Sequence, residues 1–350
     1  MATTDVGSSS ATPGPADPDS PGSASPETEK LTAAKALDRL VETGTFLIVP
    51  LLLIGLALTL YTDTFLSTGN LFRIMRTAAV YAIIGVGQTF VITSGNIDLS
   101  VGSMLALIMA ITGTFVVAGV SIPVAIVIAL LLGVIFGIIN GLVVAWLRVP
   151  ALLATLGTLI TFRGVVMEYM DGEYHTRFPE SLVMLGQGAY GPVPIPVIIA
   201  IVVAVFGWWL YKFTRFGRYA VAIGGNERAA VLAGINVRRW KIIIFAFQGA
   251  LVGLASIIMM GRLNAAHPST GQLMELHVIA GVVLGGTLLF GGKGFIFGTL
   301  LGMLLIGVLE NGLLLAGLGF FWQQIFLGLL LIFAVALQLA RNRKGTTNVY

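Results

Sequence analysis

Cysteine is absent from the 350 residues, which excludes a disulfide framework, a thiolate metal site and a cysteine nucleophile. Charge is scarce as well. Only 10% of the residues are Asp, Glu, Lys or Arg, against about 25% in an ordinary soluble domain. The three histidines, His175, His267 and His277, are too few and too scattered along the chain to suggest a metal site. Paired carboxylates and a nucleophile beside a base are missing from every water-accessible stretch, so no catalytic constellation is expected. A phosphate-binding loop is missing too. The nearest approach, Thr287-Leu-Leu-Phe-Gly-Gly-Lys-Gly294, lacks the first Gly and the Ser or Thr after Lys293. It reads as a turn at a span end with one basic anchor. The chain is not expected to hydrolyse ATP itself or to bind any cofactor.

What is present is apolar. Hydrophobic residues make up 57% of the chain and the mean hydropathy is +0.95, so the expected class is an all-α polytopic membrane protein. A helix needs roughly 20 apolar residues to cross a bilayer. About ten such segments recur: Gly44 to Tyr61, Met75 to Ser94, Leu99 to Val117, Ile122 to Leu147, Leu152 to Met167, Val193 to Phe213, Ile242 to Gly261, Leu276 to Phe290, Phe295 to Leu315 and Trp322 to Leu339. The fifth and eighth are short, which points to broken or re-entrant segments. The net charge of +4 does not argue for nucleic acid, because the basic residues sit mostly in loops and at span ends.

Residues 1–30 are rich in Ser, Pro, Gly, Ala and Asp and have no apolar period, as in a disordered tail. Residues 31–43 pattern as a short amphipathic lead-in helix, and 44–340 as the membrane domain. Residues 341–350 form a second tail. Lys30, Lys35 and Arg39 before the first span, and Arg341, Arg343 and Lys344 after the last, place both termini in the cytoplasm by the positive-inside rule. The loop at 212–241 belongs on the same side. It carries Lys212, Arg215, Arg218, Arg228, Arg238, Arg239 and Lys241 against one acid, Glu227. The acid-rich stretch Glu168 to Glu180 and the His267 loop fall outside. Arg73 and Arg76 also fall outside, against the rule, which suggests side chains turned toward protein.

Within the basic loop, Gly224 to Asn236 reads as a short helix bounded by Gly225 and Asn226 before it and Gly234 after it, a docking surface for a soluble partner. The 44 glycines recur at small-residue spacings: Gly133/Gly137/Gly141, Gly249/Gly253, Gly281/Gly285/Gly286 and Gly298/Gly302. Such spacings let membrane helices approach closely. A short internal echo links Ile139-Asn-Gly-Leu142 with Glu310-Asn-Gly-Leu313.

The densest polar interruption is Thr93-Ser-Gly-Asn-Ile-Asp-Leu-Ser-Val-Gly102. Asp98 or Ser100 would cap the next helix there, or the stretch would be an unwound piece of a solute path; the sequence leaves both open. Neutral side chains in or beside spans, Gln88, Asn140, Thr155, Thr158 and Asn311 among them, would either hydrogen-bond between helices or pass a hydroxylated solute. The path candidates are therefore Gln88, Asn96, Asp98, Ser100, Asn140, Thr158 and Asn311. The exceptional ionisable residues, Asp98, Glu310 and Arg163, fall near span ends or interruptions. A carrier driven by an ion gradient would place such groups at mid-depth.

Four blocks in order resemble the membrane permeases of bacterial ABC importers of the ribose, xylose and galactose type. They are Ser94 to Ser103; Pro150 to Thr158 with Arg163-Gly164; Phe216 to Asn236; and Ile279 to Thr299. The resemblance covers about Phe65 to Leu339. It implies a permease in the bacterial inner membrane that pairs with a second permease copy or relative. Separate ATPase subunits carrying ATP and Mg would drive it, and a sugar-binding protein would supply it from outside. It also implies a coupling helix seated on the ATPase, matched here by Asn226, Glu227, Ala229, Ala230 and Gly234, with Arg228 available to pair with charges on the partner. Asn96 stands where the family often has Gly, and the leader before Lys30 is extra. An importer of the same build for another solute (a branched amino acid, a nucleoside, a sugar derivative) and a stand-alone secondary carrier are the alternatives.

Overall fold

The computed structural model describes residues 45–346. The expected tail at 1–30 and the lead-in helix at 31–43 lie outside them. A 3-10 turn, Thr45–Leu47, opens the described chain, and thirteen α-helices follow: α1 Ile48–Tyr61, α2 Thr68–Thr93, α3 Val101–Val117, α4 Ile122–Ala145, α5 Ala151–Met170, α6 Glu180–Gln187, α7 Ile195–Phe213, α8 Arg215–Gly225, α9 Glu227–Leu232, α10 Val237–Leu263, α11 Met274–Leu284, α12 Ile296–Leu315 and α13 Phe320–Thr346. Four two-residue strands interrupt them: β1 His175–Thr176, β2 Ala189–Tyr190, β3 Val193–Pro194 and β4 Ala265–Ala266.

Every one of the ten expected segments carries a helix. Six of these, α2, α4, α5, α7, α10 and α12, are long and apolar enough to cross a membrane, whereas α1, α3, α11 and the apolar part of α13 are shorter. The fifth segment is not short. Its helix, α5, runs for 20 residues, because Ala151 and the stretch to Met170 continue the helix through polar positions that hydropathy discounts. The eighth is shorter than expected, with only 11 residues. It stops at Gly285 and Gly286, and Gly286 has φ +94°. The second begins seven residues before Met75: the Ser67 side chain accepts from the Asn70 amide and starts α2 at Thr68. The last helix continues to Thr346, past the expected boundary at Leu339.

Two helices form the axis of the packing. Of the most apolar windows of α2 and α10, 78% and 67% respectively are buried inside the protein. Glycines explain how α4 lies so close along α10. A Cβ built on Gly133 would stand 2.1 Å from the Gly249 carbonyl oxygen, and one on Gly137 would stand 2.2 Å from that of Phe245. Any larger residue would push the backbones apart. The same device joins α11 to α12, where a Cβ on Gly302 would come within 2.1 Å of the Gly281 carbonyl. Such contacts replace the hydrophobic drive that lipid does not supply between helices. Aromatic rings finish the core near the end of α2: Phe90 packs against Tyr211, Phe216 and Phe247 at centroid distances of 5.6, 4.8 and 5.4 Å, joining α2 to α7, α8 and α10.

Contacts sort the loops into two ends. At one, the Gly292 amide donates to the Thr93 carbonyl at 2.9 Å, and Gly95, Gly224 and Gly291 crowd together. This is the end of the basic 212–241 loop. At the other, β1 pairs antiparallel with β4, His175 opposite Ala266, so the acid-rich stretch meets the loop that carries His267. Arg76 lies there too. It donates to the Gln187 carbonyl, and Arg262 donates to the Thr77 hydroxyl at 2.6 Å, so Arg76 is turned toward protein.

Candidate functional site

Between α2 and α3 the chain is unwound from Ser94 to Ser100. Past the turn that bonds Ser94, Gly95 and Asn96 back to α2, the backbone groups of this stretch need other partners inside an apolar bundle. Asp98 itself and side chains of α2 and α5 supply them, and α4 and α10 brace the side chains involved. Asp98 Oδ1 accepts from the Ser100 amide at 2.8 Å and from its hydroxyl at 2.7 Å. Asn140 of α4 donates to Ser100 Oγ at 2.8 Å and reaches Asp98 Oδ2 at 3.5 Å. The Thr155 hydroxyl of α5 lies 3.0 Å from the Ile97 carbonyl. Gln88 of α2 donates to the Asp98 carbonyl at 3.4 Å, and Gln248 of α10 donates to Gln88 at 3.2 Å. Gln88, Asp98, Ser100, Asn140, Thr155 and Gln248 are all fully buried.

The capping expectation is met only in altered form. Neither Asp98 nor Ser100 caps α3 through its side chain; Ser100 occupies the cap position with no such bond. Asp98 instead holds the residue just before the helix. Asn140 Oδ1 and Gln248 Oε1 remain without a hydrogen-bond partner among the described residues, so the network retains acceptors beyond those it uses there.

Of the other path candidates, Asn96 stays at the break, where its amide group bonds to Ser94 at 2.9 and 3.0 Å. Thr158 and Asn311 lie elsewhere. Thr158 bonds within α5, to the Thr155 carbonyl at 3.2 Å. Asn311 exchanges reciprocal amide bonds with Asn70 at 2.7 and 2.9 Å. The echo between residues 139–142 and 310–313 thus places its two asparagines in different networks.

The loop segment is built around Asn226. Its side chain accepts from the Ala229 amide at 3.0 Å and caps α9. At the far end Gly234 has φ +80°, and the Ile235 amide returns to the Ala230 carbonyl at 3.0 Å, a glycine stop of the usual left-handed kind. Ala230 is buried against Ile223 and Val237. Asn226, Glu227, Arg228 and Ala229 face outward, and Glu227 pairs with Lys241 at 2.8 Å. Leu232 is 90% exposed at the tip. The break and this segment share a cleft of about 960 Å³, walled by Gly95, Asn96, Arg148, Glu227, Val231 and Lys241 among others.

A family model described as "branched-chain amino acid transport system / permease component" matches residues 70–335, a range that includes both the break and the segment Asn226 to Gly234. The chain belongs to this permease family. Curated relatives agree. The permease is 44% identical over 302 residues to the ribose import permease protein RbsC of Escherichia coli (strain K12), covering 85% of this chain and 93% of that protein. It is 42% identical over 289 residues to RbsC of Bacillus subtilis (strain 168), covering 82% and 90%. It is 36% identical over 295 residues to the D-allose transport system permease protein AlsC of Escherichia coli (strain K12), covering 84% and 90%. No solved structure matches the chain.

Sequence singled out Arg163, His277 and Glu310 of the permease but not what they touch, and it missed Tyr81 and Glu275. The loop between α10 and α11 folds back into the bundle, where Arg163 donates to the carbonyls of Pro268 and Thr270. It brings Gly271 and Glu275 onto Gly102, the second residue of α3; a Cβ there would stand 2.2 Å from the Gly271 carbonyl and 2.6 Å from Glu275 Oε2. Thus the starts of two short helices, α3 and α11, meet inside the protein. Nearby, His277 Nε2 lies 2.6 Å from Glu310 Oε1, Tyr81 stacks on His277 at 5.5 Å, and its hydroxyl donates to Glu310 at 3.3 Å. Glu275 and His277 are the second and fourth residues of α11, one on either side of the expected span start at Leu276, so hydropathy assigns them to a span edge.

Proposed function

We propose that this chain is the membrane-spanning permease subunit of an ATP-binding-cassette importer, forming the passage for a monosaccharide handed over by a binding protein outside the cell. The observation that carries the reading is the similarity, over four-fifths of the chain or more, to proteins named for ribose import and D-allose transport. In this reading all ten apolar helices insert in the membrane, including the four short ones, and both termini and the basic loop face the cytoplasm. ATP and Mg act on partner ATPase subunits. A second permease copy or relative completes the passage.

The geometry gives the coupling a route. Segment Asn226 to Gly234 presents exposed Glu227, Arg228, Ala229 and Leu232 to the ATPase, while Ala230 anchors it from beneath. Motion of this segment passes to the break, because Gly224 is packed against the Thr93 carbonyl, where a Cβ would stand only 1.8 Å from the oxygen. Gln88, Asn96, Asp98, Ser100 and Asn140 then form a low-affinity polar stretch of the passage. Half-helix starts and unwound backbone at mid-depth are the usual setting for transported solutes.

Reconstitution in liposomes tests this reading. Uptake of labelled ribose is expected only when the ATPase subunits, the binding protein and ATP are all present; uptake by the isolated chain on a proton or sodium gradient would overturn it. The family description favours one other cargo, a branched-chain amino acid. Leucine in place of ribose in the same assay separates the two.

A further inference from the structure

At the basic end, Trp146, just past α4, faces the cap and first two turns of α10 across a cleft of about 400 Å³ lined by Trp146, Asn236, Arg238, Arg239, Ile242 and Ile243. Its chemistry is layered. Arg238 and Ile242 are four residues apart on α10, as are Arg239 and Ile243, so each guanidinium stands above an isoleucine on the same helix face. Charge thus gives way to hydrocarbon within one turn. Trp146 is 70% exposed beside it and Leu147 68%, as befits an indole at the boundary between headgroups and acyl chains. No acid lines the cleft. The nearest acid of the loop, Glu227, is engaged by Lys241, and neither Arg238 nor Arg239 makes a side-chain ion pair or hydrogen bond among the described residues. On the adjoining face of α10, Arg239 also borders a second cleft of about 320 Å³ with Tyr219, Trp240 and Ile243.

We propose that this cleft holds the headgroup phosphate of an anionic phospholipid, gripped by Arg238 and Arg239, with an acyl chain along Ile242 and Ile243 and the Trp146 indole against the glycerol. Charge complementarity selects the occupant. Two guanidiniums offer paired N–H donors suited to phosphate oxygens, and a basic hollow between membrane helices is a recurring headgroup site. A free phosphate would leave the isoleucine floor uncovered, whereas a phospholipid satisfies both layers at once. The site requires only that the chain reside in a membrane. It stands whether or not the transport reading holds.

The whole chain, purified and placed in mixed-lipid nanodiscs, provides the test through tryptophan quenching. The sequence has five tryptophans, and subtraction of a Trp146→Phe variant isolates the contribution of Trp146. Brominated phosphatidylglycerol is expected to reach half-maximal quenching of Trp146 at a mole fraction roughly tenfold lower than brominated phosphatidylcholine. In the Arg238→Gln/Arg239→Gln double variant the two lipids should become equal while thermal stability is retained, since both side chains are exposed. Equal quenching by both lipids in the unmodified chain would overturn the proposal, as would a preference that survives the double substitution. Reversal of quenching by inorganic phosphate would show a simple anion site. Its reversal on adding the ATPase subunits would assign the arginines to protein docking. Either of those results also overturns the proposal.

Discussion

Asp98 is a carboxylate with no exposed surface and no basic side chain bonded to it among the described residues. Neutral donors hold it: the Ser100 amide, the Ser100 hydroxyl and the Asn140 amide. Replacing it by alanine strands these donors in a dry setting, and a buried group left unpaired costs about 1–3 kcal/mol. Asp98→Ala is therefore expected to lower the thermal unfolding midpoint in detergent, with Asp98→Asn between it and the parent, since Asn keeps one acceptor oxygen for Ser100. A midpoint unchanged or raised in Asp98→Ala would mean that desolvation of the carboxylate outweighs its hydrogen bonds. Some of this was legible in sequence and some was not. A dense run of Thr, Ser, Asn and Asp between two apolar spans marks a break from composition alone. That Thr155 rather than Thr158 serves it, and that Gln248 arrives from α10, depends on how helices cross, which the one-dimensional pattern does not encode.

Among the elements, α9 shows what six residues can specify when both ends are fixed. Asn226 closes the first turn, and Gly234 turns the chain back with φ +80°. A β-branched residue pays a steric penalty in that conformation, about 1–2 kcal/mol. Gly234→Val is accordingly expected to abolish ATP-dependent uptake while leaving the amount of folded protein in the membrane unchanged, read by uptake assays beside fluorescence-detected size exclusion. Full uptake by this variant would reduce the segment to a linker. The boundaries of α9 could be read in advance because capping residues and glycine stops act locally. That α11 is short was legible from its short apolar run; the inward fold of the loop before it was not, since it is fixed by Arg163 holding two distant carbonyls.

For the whole molecule, the pairing of β1 with β4 and the clustering of Gly95, Gly224 and Gly291 divide the loops into two ends without reference to charge. In the proposed reading, the basic 212–241 loop puts its own end in the cytoplasm. Because the chain has no cysteine, single replacements give clean reporters: in intact cells Glu173→Cys is expected to react with a membrane-impermeant maleimide, and Arg228→Cys only after the membrane is opened. Labelling of Arg228→Cys in intact cells would invert the topology. The hydropathy pattern revealed the helices well because each apolar run nucleates one helix. It misjudged α5 and the start of α2, where polar residues continue a helix that a transfer scale cuts short.

The joint between the loop and the break has a consequence for how this sequence can change. It is made of main chain: the Gly292 amide on the Thr93 carbonyl, with Gly224 fitted beneath it where no Cβ has room. A joint of this kind stores no information in side chains, so, if the proposed coupling holds, surrounding positions are free to drift and to adapt to a different ATPase surface without loosening it. Gly224 is not free. In a saturation-substitution screen for transport it should stand out as a point that accepts nothing, beside neighbours such as Gly225, whose added Cβ would meet open space and which should accept small residues; alanine tolerated at Gly224 would show that the backbones are farther apart in the working protein.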